Sequence, residues 1–127
     1  MAVNAQDIKD FQWKNRLVLI IAEDKENQSF QKQLAELQKD QDGLKERKLI
    51  IYKILPGKFS KGLESETWEN DSVLYQKYKT NASGFQVLLL GLDGGIKLDQ
   101  SEIISLKKLF NTIDSMPMRQ AEMRKTR

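Results

Sequence analysis

The sequence predicts one α/β domain built around a mixed β-sheet. Three apolar runs, at residues 17–22, 49–55 and 85–90, contain β-branched residues without polar alternation, which is typical of strands buried on both faces. A helical pattern separates the first two runs, and two strands joined by a helix form a right-handed parallel unit by default. The chain has 127 residues, which is enough for one hydrophobic core.

The first strand is followed by a helix and then by a second strand. Leu17–Ala22 forms the first strand. The helix presents an apolar stripe at i, i+4 and i+7, which consists of Phe30, Leu34 and Leu37. Asn27 or Ser29 is suited to cap this helix, and Gly43 is placed to end it. The second strand is Leu49–Leu55, and a Pro-Gly pair ends it.

The second half of the chain begins with an irregular stretch, residues 56–70. A short helix is predicted to follow, capped by Asp71 or Asn70 and presenting Val73, Leu74 and Tyr78. Phe85–Leu90 is the third strand. The segment Gly91–Gly95 contains Asp-Gly and Gly-Gly pairs, which accept the positive φ angles of a tight hairpin turn. Residues 96–98 are therefore predicted to form the return strand.

The last long helix is predicted to start at Asp99. Asp99 and Glu102 have the spacing of a capping box. The spacing also predicts the buried face of this helix, which consists of Ile103, Leu106, Phe110 and Ile113. Since the residue before a proline avoids the helical region, the helix is expected to end near Ser115. Pro117 then fits the first turn of a new short helix.

The order of these elements indicates the fold. An N-terminal βαβ half followed by an αββα half is the thioredoxin-like arrangement. We therefore expect a mixed four-stranded central sheet flanked by helices, with the first two strands parallel. The hairpin strands are expected to pair antiparallel on the other side of the first strand. Residues 1–127 form this single domain, with a short basic tail from about residue 119.

The composition excludes several kinds of chemistry. The chain has no cysteine and no histidine, so it lacks disulfides, thiol nucleophiles, Cys/His zinc sites and a Ser-His-Asp triad. A redox thioredoxin carries Cys-x-x-Cys just after its first strand, where this chain has the acidic segment Glu23–Gln28. We predict no catalytic residue, no cofactor and no metal ligand.

The charge distribution argues against a nucleic-acid partner. The formal net charge is +3, but residues 119–127 hold four basic residues and one acidic residue, which leaves residues 1–118 neutral. A nucleic-acid-binding domain is expected to carry clustered Lys and Arg on a folded surface.

No apolar stretch approaches the length of a membrane span. The protein is expected to be periplasmic or secreted if a signal peptide was removed before residue 1, and cytoplasmic otherwise.

Three segments resemble the motifs of a bacterial domain family of unknown function. They are Phe11–Leu17, Gly91–Leu98 and Ile113–Met123, which match a W-K-N-R segment, a G-x-D-G-G-x-K turn and a closing I-D-x-M-P-M-R-x-x-E-M block. The family is related to the thioredoxin-like domains of animal sushi-repeat extracellular-matrix proteins. The resemblance implies a thioredoxin-like fold and often export, and it implies no established activity. Gln120 departs from the pattern, which has a second arginine there.

The motif segments also supply the candidate interaction residues: Trp13, Arg16, Asp93, Asp114, Pro117, Arg119 and Glu122. After a turn at Pro117, the Arg119 side chain is close enough along the chain to reach either Asp114 or Glu122, so the closing block is expected to be anchored. The alternative is a loose tail after the proline. Tryptophans are more often buried anchors than ligand platforms, and this is the expectation for Trp13 and Trp68.

The expected function is binding rather than catalysis. We expect a thioredoxin-like domain without redox activity that acts as a protein-binding or structural module. Its partner and its oligomeric state are left open. The alternative is an enzyme of peroxidase-like ancestry that uses carboxylates instead of thiols. A concave pocket with converging polar groups near residues 23–28 would favour that alternative.

Overall fold

The computed structural model describes residues 8–125. Within them, six strands form one mixed sheet: β1 (Arg16–Ala22), β2 (Leu49–Leu55), β3 (Lys58–Lys61), β4 (Glu69–Asn70), β5 (Phe85–Leu90) and β6 (Ile96–Gln100). The helices are α1 (Gln28–Gln38), α2 (Gln41–Glu46), α3 (Val73–Tyr78), α4 (Leu106–Asp114) and α5 (Pro117–Lys125). None of these helices has the length and the apolar composition to cross a membrane.

The sheet has the order β4-β3-β2-β1-β5-β6. Strands β1 and β2 are parallel, whereas β5 pairs antiparallel with β1 and β6 pairs antiparallel with β5. The α/β class is confirmed, but the expectation of four strands is wrong. The stretch predicted to be irregular contains β3, which folds back antiparallel onto β2, and the two-residue strand β4.

Two apolar clusters cover the two faces of the sheet. One contains Val18, Ile20 and Ile51 and packs against α1, α2 and α4. The other contains Leu19, Tyr52 and Leu88 and packs against residues 8–11 and α3. Since successive side chains of a strand point to opposite faces, the largely apolar strands β1, β2 and β5 contribute residues to both clusters.

The first helical region differs from the prediction. Helix α1 begins after Asn27, whose side chain accepts a hydrogen bond from the Phe30 N–H. It ends at Gln38, and Asp40 starts the separate helix α2 by accepting from the Gly43 N–H at 2.9 Å. Gly43 therefore lies inside α2 and does not end a helix. A Cβ at Gly43 would come within 2.8 Å of the Phe110 ring, so a close approach between α2 and α4 explains the glycine.

The predicted start of the long C-terminal helix is also wrong. Asp99 lies in β6, where it pairs with Leu88 and accepts a hydrogen bond from the Gln86 amide at 2.8 Å. Helix α4 starts after Ser105, which accepts from the Lys108 N–H at 3.1 Å. Ile103 precedes the helix and is 39% exposed. The capping-box spacing failed because strand pairing with β5 continues through Gln100.

The closing segment forms the short helix that the sequence predicts to start at Pro117. Pro117 is the first residue of α5, and the basic residues that the sequence places in a tail from about residue 119 lie in this helix as far as Lys125. Thr126 and Arg127 lie outside the described residues. The cap of α3 is Ser72 rather than Asn70 or Asp71, although the Asp71 carboxylate accepts a hydrogen bond from the Val73 N–H.

Candidate functional site

The candidate residues gather at one end of the sheet. At this end β1 and β2 begin, β5 ends and β6 begins. The side chains of α5 and of the last residue of α4 reach it as well. We call it the motif end, and it comprises residues 11–16, 46–49, 90–97 and 114–122. The predicted motifs, separated by up to a hundred residues of sequence, are therefore neighbours in the fold.

The segment before β1 ties two turns together. The Trp13 N–H donates to the Leu92 carbonyl at 2.6 Å, in the turn between β5 and β6. On the other side, the Asn15 amide and the Arg16 N–H both donate to the Lys48 carbonyl, at 3.1 and 2.9 Å. The W-K-N-R segment thus bridges the β5–β6 turn and the turn that leads into β2.

Glu122 on α5 joins two arginines. Its carboxylate accepts hydrogen bonds from both terminal nitrogens of Arg16, at 3.3 and 3.2 Å, and from one terminal nitrogen of Arg119, at 3.5 Å. The side chains of Arg16 and Arg119 are only 1% and 4% exposed. Since a buried guanidinium is stable only when it is paired, Glu122 is required to hold the start of β1 against α5.

Asp114 joins another pair of arginines. It accepts from Arg47 in a bidentate arrangement, at 3.1 and 2.9 Å, and from the Arg119 Nε at 3.0 Å. The Arg47 guanidinium also lies 3.8 Å from the centroid of the Phe110 ring, in the geometry of a cation–π contact. Arg119 reaches a third carboxylate, that of Glu46, at 2.8 Å.

These contacts form one charge network of three arginines and three carboxylates: Arg16, Arg47, Arg119, Glu46, Asp114 and Glu122. Burial raises the pKa of Asp114, but hydrogen bonds and charge from Arg47 and Arg119 outweigh burial and bring the pKa below its ordinary value. Burial lowers the pKa of Arg119, but its hydrogen bonds to Asp114 and Glu46 outweigh burial and raise it. Every charge has an opposite partner, so the network supports the fold.

Sequence reasoning missed part of this network. Arg47 and Glu46 belong to no motif, and nothing near them in the sequence distinguishes them from the other charged residues. Arg47 and Asp114 are 67 residues apart in the chain. They meet because β2 must lie beside β1, which brings the end of α2 under the junction of α4 and α5.

Trp13 and Asp93 lie outside the network, at the β5–β6 turn. The Asp93 carboxylate accepts from the Gly95 N–H at 2.9 Å and pairs with Lys97 at 3.0 Å. The Gln12 amide donates to the Asp93 carbonyl at 2.9 Å. Trp13 is 63% exposed and has a φ of 70°, so the expectation of a buried anchor is wrong for Trp13. Trp68 is half-buried and packs against the core.

Sequence comparison places most of the chain in one family. The profile of a domain of unknown function, DUF4174, matches residues 7–122. The chain belongs to the DUF4174 family. No curated protein and no solved structure matches the chain. The match ends at Glu122, so it includes all six members of the charge network.

The opposite end of this DUF4174 domain, where β1 and β2 finish, holds an open cleft. The cleft has a volume of about 450 Å³ and is lined by residues 23–25 and 55–58. Ligands of α/β sheets bind at the carboxyl ends of the strands. Glu23, Asp24 and Lys25 are exposed, and the Asp24 carboxylate accepts from the Glu26 N–H in a local turn. In the part of the chain that the structure describes, no three acidic side chains converge as metal ligands.

Proposed function

We propose that this DUF4174 domain is a protein-binding module without thiol redox activity, and that its contact surface is centred on Trp13. The observation that carries this proposal is the exposure of the indole ring together with its fixed backbone. Tryptophan is enriched among the residues that dominate binding energy at protein interfaces. An exposed tryptophan on a defined scaffold is suited to this role because little conformational freedom is lost on binding.

The backbone at Trp13 is held in an unfavourable conformation. A φ of 70° costs a non-glycine residue about 1–3 kcal/mol, and such strain persists only where surrounding contacts impose it. Here the Trp13 N–H is bound by the Leu92 carbonyl, and the neighbouring Gln12 side chain is bound to the carbonyl of Asp93. These contacts direct the indole ring into solvent, so the ring does not contribute to packing of the core.

The charge network supports the same proposal indirectly. The charges of Arg16 and Arg119 are both paired with Glu122 and buried, so these residues act within the fold. Their role in this proposal is to hold the segment that carries Trp13 in place at the start of β1. In this proposal the closing block contributes to binding by holding Trp13 in position, and it does not itself contact the partner.

The proposed lack of redox activity is supported by the composition and by the thioredoxin-like interpretation. Strands β2, β1, β5 and β6 have the order and the directions expected of that fold, which supports the interpretation, with β3 and β4 as an extension beyond β2. The position of the redox motif in such a fold is occupied by Glu23–Gln28, and the chain has no cysteine. The resemblance to domains of sushi-repeat matrix proteins favours a partner outside the cytoplasm.

The cleft beside Glu23 and Asp24 is the one observation that favours the alternative, an enzyme that uses carboxylates. Under that alternative, Glu23→Gln combined with Asp24→Asn would abolish an activity that Trp13→Ala leaves intact. Binding remains the better-supported function, because both carboxylates are exposed and Asp24 is engaged in its local turn.

Site-specific photocrosslinking in the native host tests the proposed surface. A benzophenone amino acid replaces Trp13 in one variant and Val73 in a control variant. Val73 is also an exposed apolar residue, at 44%, and lies on α3. We expect a discrete crosslinked species from position 13 and none from position 73. No adduct at position 13, or the same adducts from both positions, would contradict the proposal.

An insulin-reduction assay tests the other half of the proposal. The purified domain is expected to show only the background rate, because no residue can form the mixed disulfide that the reaction requires. Turnover well above that of heat-denatured protein would exclude a redox-inactive module.

A further inference from the structure

A cavity of about 270 Å³ lies between the N-terminal segment of the described chain and helix α3. One side of it is apolar. Ile8, Leu17 and Leu90 belong to the buried cluster on this face of the sheet, and Phe11 packs against that cluster. Ligand pockets combine such an apolar wall with a few polar groups that orient the ligand.

The polar side of the cavity is cationic. Lys9, Lys77 and Tyr78 line it. Neither lysine has a carboxylate within ion-pair distance among residues 8–125. The Lys77 ammonium lies 5.3 Å from the centroid of the Tyr78 ring, so a positive charge and a phenol adjoin each other. The Tyr78 hydroxyl has no hydrogen-bond partner within the same described range.

One acidic residue, Asp93, also lines the cavity. Its carboxylate is already engaged by the Lys97 ammonium at 3.0 Å and by the Gly95 N–H at 2.9 Å. Asp93 therefore does not neutralise Lys9 and Lys77. Among the described residues, neither of the two lysines that line the cavity has a carboxylate partner. Two positive charges beside an apolar wall are complementary to an anion with an apolar body.

We propose that this cavity binds a small monocarboxylic acid with an aromatic or branched aliphatic body. The carboxylate lies between the ammonium groups of Lys9 and Lys77 and accepts the hydrogen bond of the Tyr78 hydroxyl. The apolar body packs against Leu17 and Leu90. The volume lies just below the range of drug-sized ligand sites, which limits the ligand to about the size of benzoate. This inference goes beyond the proposed protein-binding function, because it does not involve the exposed ring of Trp13.

A titration followed by two-dimensional amide NMR tests the proposal, with benzoate as the probe and benzamide as its neutral isostere. Benzoate is expected to shift the backbone amides of Gln12, Leu90 and Gly94 saturably, with a Kd of about 1 mM for a ligand of this size. Benzamide is expected to bind at least about tenfold more weakly, because it lacks the charge that the lysines recognise.

Lys77→Gln is the decisive variant, and Lys107→Gln is its matched control. Lys107 is an exposed lysine on α4, which packs on the other face of the sheet. Lys77→Gln should weaken benzoate binding about tenfold, Lys9→Gln should weaken it similarly, and Lys107→Gln should leave it unchanged. Both cavity lysines are exposed, so these variants are expected to fold, and their amide spectra report this directly.

Three results would overturn the proposal: equal shifts with benzoate and benzamide, benzoate shifts that map away from the cavity, or unchanged affinity in Lys77→Gln. Each of them leaves the role of Trp13 untouched. Conversely, loss of the crosslink at position 13 does not affect the carboxylate titration. The two proposals can therefore fail separately.

Discussion

Arg119 shows which contacts of a residue follow from local spacing. Its carboxylate partners Asp114 and Glu122 are five residues before it and three residues after it, within reach of a single turn, so the sequence alone places them together. Its contact with Glu46 spans 73 residues and exists only because the end of α2 lies under α5. Local pairs can be predicted from sequence, whereas the long-range pair depends on the topology of the sheet.

Replacing Arg119 with alanine should destabilise the domain. The substitution leaves Asp114 and Glu122 with one fewer partner at a half-buried site. Breaking a buried ion pair costs about 3–5 kcal/mol. Since Asp114 and Glu46 are 32% and 65% exposed, we expect a loss of roughly 2 kcal/mol in the free energy of unfolding. Denaturant unfolding measures this loss.

Arg124→Ala is the control for that substitution. Arg124 lies in the same helix and is exposed, so its loss should change the free energy of unfolding by no more than about 0.5 kcal/mol. If the two alanine variants unfold at the same denaturant concentration, then Arg119 is not an anchor of the closing block.

At the scale of elements, burial decides which strands can be predicted. Strands β1, β2 and β5 are almost entirely buried and largely apolar, with one polar residue each (Arg16, Lys53 and Gln86), and they lie where the sequence predicts them. Strand β3 has four residues with charged ends, and β4 has two polar residues. Neither carries a pattern of its own, because both derive their structure from pairing with a strand that is already in place.

The placement of β2 is tested by two neighbouring residues. Ile51 is 4% exposed and packs in the cluster under α1, α2 and α4. Ile50 is half-buried and packs against the other cluster. Ile51→Ala is expected to cost about 2–5 kcal/mol in unfolding free energy, as for other buried aliphatic truncations, and Ile50→Ala is expected to cost clearly less. The reverse order in thermal or denaturant unfolding would mean that the strand is in the wrong register.

The attachment of α5 is expected to depend on pH. Because the pKa of Asp114 in the folded chain is below its ordinary value of 3.8, its ionised form contributes stability that is fully present above that value. The contribution is lost as the pH falls through the lowered pKa. Asp114→Asn removes the titrating group. The difference in melting temperature between the parent and Asp114→Asn should therefore be largest near neutral pH and should shrink below about pH 4.

A difference in melting temperature that stayed constant from pH 7 to about pH 3 would show that the charge of Asp114 does not stabilise the closing block. Arg47 and Arg119 remain charged over this range, so the change reports on the carboxylates of the network. Glu46 and Glu122 are present in both proteins. The comparison therefore isolates Asp114.

At the scale of the whole molecule, the charge network joins parts of the chain that are far apart in sequence. Arg16 at the start of β1 and Glu122 on α5 are separated by 106 residues. The sequence predicts the motifs at these positions but not their meeting, because that requires knowing that α5 returns to the amino end of β1. The ion pair between Arg16 and Glu122 closes the domain by joining α5 to the start of β1. It makes α5 part of the domain, although the composition of the segment is that of a solvated tail.

Truncation after Met116 tests this closure. Removing α5 takes Glu122 away from Arg16, whose side chain is 1% exposed, so a buried guanidinium loses its carboxylate partner. We expect the melting temperature of the whole domain to fall sharply, because an unpaired buried charge costs several kcal/mol. Truncation after Lys125 leaves the network intact and should have no effect.

Adding Arg16→Met to the chain truncated after Met116 removes the unpaired charge while keeping most of the side-chain volume, so it should recover part of the lost stability. In the full-length chain, the same substitution leaves Glu122 with one fewer partner and is expected to be destabilising. If Arg16→Met lowers the melting temperature of both chains equally, then α5 does not close the domain through Arg16.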